Sequence, residues 1–239
     1  MKKSHFLLTF FIFCLIIRRQ LQNDSCQEIP GGMNMGKVET NKKRKKNALF
    51  QTAYELFTEK GFAKTTISDI VNRAGLAKGT FYLYFKDKYD LRDRLIAYQA
   101  GKLFAEAHQE LDKREMHSFE EEVIFLTDYI IRRFEKQHSM MQFLAKNLSW
   151  GIFKNAFSST EFPEAQGFYE HYLQALEQFE IECKEPELLL FTIIELIGST
   201  SYNCILYEQP VTMEEYLPHL HRVLHQLLLA FTRQKSEAS

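Results

Sequence analysis

The sequence predicts an all-α protein. Three observations lead there: only 5 Pro and 10 Gly punctuate 239 residues, 45% of the residues are hydrophobic with 21 Phe among them, and apolar positions recur at intervals of three and four along most of the chain. That length buries a core without staples and leaves room for a small module joined to a larger one. We see no repeat, low-complexity tract or convincing series of strands. The four cysteines, Cys14, Cys26, Cys183 and Cys204, form neither a CxxC pair nor a zinc-ligand spacing, so a reducing compartment fits and no metal is expected.

The elements follow in chain order. "MKKSHFLLTFFIFCLIIRRQ" resembles a signal peptide, with Lys2 and Lys3 ahead of an apolar run at 6–17. At 1.5 Å per residue that run covers about 18 Å, against roughly 30 Å of hydrocarbon. No small-x-small cleavage site follows before Arg18 and Arg19. A weak anchor is one reading. The other starts from Gly31-Gly32, a dipeptide that GGAGGN encodes, which places a purine-rich ribosome-binding sequence just ahead of Met35. On that reading residues 1–34 are a leader with no role in the fold, and the protein begins at Met35.

A basic "NKKRKK" arm then precedes a first amphipathic helix carrying Leu49, Ala53, Leu56 and Phe57, with Gly61 in place for a left-handed stop. Thr66, followed three residues on by Asp69, caps a two-turn helix with Ile67, Ile70 and Val71, and Gly75 ends it. A third short helix is expected from near Ala77, with Phe81 and Phe85 facing inward at i and i+4. Two short helices joined through Gly make a helix-turn-helix. A long helix from Lys88 to about Lys113 links this module to the rest. Ser118 caps a helix to about Lys136, and "SMMQFLAKNLSWGIFKNAF" supplies one or two shorter pieces. "EFPEAQGFYEHYLQALEQF" supplies another, residues 186–207 are bracketed by prolines, and a last helix spans 212–234.

Residues 74–91, "AGLAKGTFYLYFKDKYDL", combine small, charged and aromatic side chains for two tasks. A helix that enters a DNA major groove about 12 Å wide needs a slim amino-terminal end at the base edges. Gly79 and Thr80 keep that end slim and Lys78 adds charge. Tyr82 and Tyr84 reach thymine methyls or phosphates, and Lys88 suits phosphate at the start of the next helix. Each has a plainer reading: the tyrosines as packing against the linker helix, Thr66 as a cap alone, the basic arm as a solvated tail.

At these residues the sequence resembles the TetR family of bacterial transcription regulators. "TTISDIVNRAGLAKGTFYLYFKDKYDL" is similar to that family's signature throughout, and with "ALFQTAYELFTEKGF" the resemblance covers about 45 residues. It implies a DNA-binding domain at 35–90 and an all-helical ligand-binding and dimerisation domain at 91–239. Carried onto matching positions, it implies phosphate contacts from Thr66, Ser68, Tyr82, Tyr84 and Lys88, and base contacts from Lys78, Gly79, Thr80 and part of Tyr82. The implied partners are double-stranded DNA with a near-palindromic operator, a small-molecule effector, and a second copy of the chain paired through about 186–207 and 212–234. The implied function is that of a cytoplasmic repressor released by its effector.

Charge agrees with this division. Met35 to Arg94 holds 14 Lys plus Arg against 7 Asp plus Glu, whereas Leu95 to Ser239 holds 12 against 22. A basic module suits a polyanion and an acidic body stays off it. In the body, Gly198, Ser199, Thr200 and Ser201 would allow close helix approach. Glu195 interrupts an apolar run, so it either meets a cation or lies in water at the bundle edge. Trp150, Phe153, Phe157, Tyr129 and Met141 are either pocket lining or plain core, and no ligand residue is assigned. The competing classes are a membrane-tethered interaction protein anchored by 6–17 and an enzyme. No P-loop, dinucleotide-binding glycine motif, HExxH or GxSxG supports an enzyme, and no cofactor is expected.

Overall fold

The computed structural model describes residues 35–147, 150–157 and 161–235. The apolar run at 6–17 and the leader reading of 1–34 lie outside the described residues. Residues 45–239 cluster as one compact unit, and residues 35–44 fall outside it.

Helix α1 covers Met35–Lys60 and so begins well before the apolar stripe from which the sequence locates it. The "NKKRKK" run lies inside this helix, with Lys42, Lys43, Arg44 and Lys45 exposed. Straight-chain Lys and Arg are good helix formers, so polar turns extend a helix that periodicity alone does not announce. Leu49, Ala53, Leu56 and Phe57 are buried along one face. Gly61, at φ 86°, turns the chain in the left-handed region, and the buried Thr65 hydroxyl donates to its carbonyl at 2.9 Å.

Helix α2, Ile67–Arg73, begins with the reciprocal cap expected of Thr66 and Asp69. The Thr66 hydroxyl accepts the Asp69 N–H at 3.1 Å and the Asp69 carboxylate accepts the Thr66 N–H at 2.8 Å. The Thr66 N–H, then the Lys60 ammonium, hold Asp69 well below the usual carboxylate range, at about 2. Gly75, at φ 67°, makes the turn. Helix α3, Lys78–Tyr82, is shorter than the Phe81 and Phe85 spacing suggests. Phe85 is reached from the turn beyond it, and both rings are buried.

Helix α4, Lys88–Leu111, is capped by Asp87, whose carboxylate accepts the N–H groups of Tyr89 and Asp90 at 2.8 Å. Then come α5 (Phe119–Lys136, capped by Ser118), α6 (His138–Asn147), α7 (Trp150–Phe157), α8 (Pro163–Gln178), α9 (Pro186–Tyr207) and α10 (Met213–Phe231). A Thr212–Glu215 capping box opens α10.

The expected last helix at 212–234 is corrected at its end. It stops at Phe231, and β2 (Thr232–Gln234) pairs antiparallel with β1 (Ile181–Cys183), Glu182 opposite Arg233. Among the described residues this is a single two-stranded pair rather than a series, within an all-α fold. Three-residue strands carry too little alternation to read, and their pairing is non-local.

The linker helix α4 is the axis of the core, burying Leu91, Leu95, Ile96, Ala100, Leu103, Phe104 and Ala107. The helix-turn-helix module does not pack separately from the body. Phe143 of α6 stacks on Phe57 at 6.2 Å and meets Tyr54 edge-on at 5.6 Å, joining α1 to the same buried cluster as α9 and α10.

Candidate functional site

Of the residues read as facing DNA, Thr66 and Ser68 at the start of α2 are exposed, as are Lys78, Gly79 and Tyr82 of α3. Tyr82 is 53% exposed, and its ring leans edge-on against Phe81 at 5.4 Å. Core packing therefore orients the tyrosine without covering it. A Cβ built on Gly79 would meet nothing within 4 Å, so the protein itself does not require glycine there. Thr80 is half-buried. Tyr84 is half-buried too, packed against the core 6.3 Å from Phe85. It lies just past the end of α3, where Leu83 is the side chain turned outward, 76% exposed.

Lys88 has a structural task that the sequence does not announce. Its Nζ donates to the carbonyls of Phe62 at 2.9 Å and Thr65 at 2.8 Å, and it sits 4.2 Å from the Phe62 ring. The ammonium thus fixes the α1–α2 turn from the first residue of α4. An ammonium has three protons, so one remains for a phosphate. Sequence reasoning passed over Lys64 and Lys86, which are exposed and form no ion pair among the described residues. Their only sequence signal was proximity to the helix-turn-helix. Lys60 and Arg73 are engaged inside the module instead, with Asp69 at 2.9 Å and Glu59 at 2.6 Å.

The body holds a two-lobed apolar cavity. The first lobe, about 60 Å³, lies between α4, α5, α8 and α9, with Phe104, Phe119, Phe168, Tyr172 and Ile193 in its walls and His108, Glu122 and His171 at one end. The second, also about 60 Å³, extends toward Ala100, Phe134, Leu144, Phe153 and Gly198. The lobes share Phe104, Ile130, Ile194 and Ile197. The Tyr172 hydroxyl donates to the Pro186 carbonyl at 2.9 Å, and burial raises its pKa. Burial, then neighbouring His171, pushes His108 down to about 4. Burial, then Asp112, pushes Glu122 up.

Of the aromatic candidates read from the sequence, Phe153 lines this cavity. Met141 is plain core, and Trp150 packs on Phe153, Phe157 and Phe191. Glu195 is exposed, which settles its two readings in favour of water within the single chain. The cavity's own residues were missed because helices far apart in sequence bring them together. Ser201 is buried within the chain, not on an outer face.

A capped helix, a glycine turn and a short exposed helix, set on an all-α body with an internal cavity, define a helix-turn-helix protein. Residues 49–95 match the family model for bacterial regulatory proteins of the tetR family. The likeness to that family's model is carried by this amino-terminal module. An uncharacterized HTH-type transcriptional regulator of Bacillus subtilis (strain 168), YvdT, is 58% identical over 40 residues, 17% of this chain and 21% of the relative. The matches to the first curated relatives thus span about a fifth of those proteins' length.

Among solved structures, a tetR-family transcription regulator from Shewanella sp. PV-4 aligns with TM-score 0.57 at 18% identity, covering 80% of this chain and 99% of that one. FadR from Bacillus subtilis in complex with stearoyl-CoA aligns with TM-score 0.52 at 18% identity, over 74% and 96%. At such identities the likeness is one of fold, and it extends through the body.

Proposed function

We propose that the protein is a dimeric, ligand-responsive, DNA-binding transcriptional regulator of the cytoplasm, a repressor released from a near-palindromic operator by a small molecule. The observation that carries this reading is α4. Its first residue, Lys88, holds the α1–α2 turn, and its middle and end, through Ala100, Phe104 and His108, wall the cavity. One rigid element thus touches both sites.

In this reading Lys78, Gly79, Thr80 and Tyr82 face base edges. Thr66, Ser68, Tyr84 and Lys88 hold phosphates, with Lys64 and Lys86 added to that set. The 60 Å³ lobes each hold about four to six water-sized groups, so a larger occupant must part the helices around it. A ligand that binds better to the parted conformer shifts the population toward it and displaces α4 together with the reading helix. A likeness of fold to FadR from Bacillus subtilis, which is in complex with stearoyl-CoA, supports this reading.

Dimerisation is read from α9 and α10. These helices leave Leu188, Tyr207, Val223 and Leu229 exposed at 43%, 56%, 46% and 62%. Helix α9 is apolar and long enough to cross a membrane by length and composition, yet it packs Leu189, Leu190, Ile193 and Ile197 into the core. A second copy is the natural cover for its outer side, and two copies place half-sites about 34–36 Å apart. Selection from a random DNA pool by the full chain tests the function. Enrichment of a near-palindrome supports it, and a pool that stays random after repeated rounds rejects it.

A further inference from the structure

We propose that the effector is a lipophilic amine, with an apolar tail that overfills the two lobes and an ammonium head held by Glu122 and His108. This rests on the reading of the cavity as the effector site. Tail length follows from volume. Two lobes of about 60 Å³ that share four wall residues are together no larger than a cavity that takes one benzene, so an eight-carbon tail overfills them and parts the helices around them, as release requires.

The head group follows from what stands at the polar end. Among the described residues no Lys or Arg lines either lobe. Glu122 does line it, in no ion pair among the described residues, its pKa raised by burial and then by Asp112, with His171 acting in the opposite sense. A carboxylate head would bring one more negative charge to that end, where burial already penalises the charge present. An ammonium reverses the sign of the interaction.

The imidazoles complete the match. His108 Nε2 is buried and has no hydrogen-bond partner. A histidine whose pKa is pushed down to about 4 is a neutral group at pH 7, unable to serve as a cation for an anionic ligand. His171 stacks beside it, ring centroids 4.6 Å apart. Its Nδ1 donates to the Gly167 carbonyl at 2.7 Å, which fixes the ring's orientation beside His108. The Glu122 carboxylate and the unpartnered His108 nitrogen answer two of the three donors of an ammonium. The rings of Phe104 and Phe168, stacked at 4.0 Å, and of Phe119 add faces that attract a cation.

The test is calorimetric titration of the full chain with octylammonium, octanoate and 1-octanol, three ligands with one tail and different heads. We expect octylammonium to bind at least about tenfold tighter than either other ligand, the worth of one charge-assisted hydrogen bond. In Glu122→Gln that advantage should vanish while 1-octanol affinity stays within about twofold, since the tail site is untouched. Octanoate or 1-octanol binding as tightly as the amine in the wild-type protein overturns the proposal without any variant. So does absence of amine binding, or unchanged amine affinity in Glu122→Gln. Operator binding measured alongside separates the two claims. Amine binding without release of DNA removes the ligand-responsive reading alone, whereas release by octanoate but not by the amine removes the amine alone.

Discussion

Lys88 illustrates what a single residue's spacing conceals. Its position at a helix start suggested phosphate, but the structure adds that its ammonium already serves two backbone carbonyls. Lys88→Ala should therefore cost both stability and affinity. Denaturant titration should register a loss of about 1.5–3 kcal/mol for hydrogen bonds to a charged group. The slope of log affinity against log salt should flatten by about one unit. His108 predicts a pH effect in the same way. Its folded pKa, about 4, lies below the ordinary 6.5, so the unfolded chain takes up the proton first as pH falls. Stability should then decline between about pH 6.5 and 4. Asp112 and His171 act on the same ring, and Glu122, raised by burial, works in the opposite sense on acidification. Thermal melts of His108→Leu across that range should show a shallower decline than wild type. Neither consequence was legible in the sequence, because Thr65 lies 23 residues from Lys88 and His171 lies 63 from His108.

At the scale of elements the sequence was most legible where chemistry is local. Thr66 with Asp69, Ser118, Pro186 and the two left-handed glycines mark boundaries within a few residues of where they fall. It was least legible where partners are remote, as in the β1–β2 pair and the cavity. Gly101 belongs to the second kind. Nothing in its neighbourhood announces it, yet a Cβ there would sit 2.9 Å from the Ala165 backbone nitrogen, where α4 and α8 approach. Gly101→Ala must push two helix backbones apart. We expect a loss of about 1–3 kcal/mol by chemical denaturation, despite alanine's better helix propensity. A variant as stable as wild type would show that α4 and α8 slide more freely than packed helices do.

At the scale of the whole molecule, the account needs two copies with their reading helices held at groove spacing. Leu188→Glu with Leu229→Glu puts charge on the exposed apolar side of α9 and α10, and sedimentation should then report a monomer. A dimer persisting in the double variant would place the interface elsewhere. The division of charge along the chain and the 45-residue signature made the helix-turn-helix module legible, because its caps, glycine turns and short helices constrain residue type position by position. The body carries no comparable constraint, since any apolar set of suitable volume fills a cavity wall. The most direct test of the account is a footprint of the full-chain protein on the DNA upstream of its own gene, at two salt concentrations, with Tyr82→Ala and Lys78→Ala in parallel. The account predicts a protected near-palindrome that both variants lose while keeping wild-type melting temperatures. No protection at either salt, or protection unchanged in both variants, would contradict it.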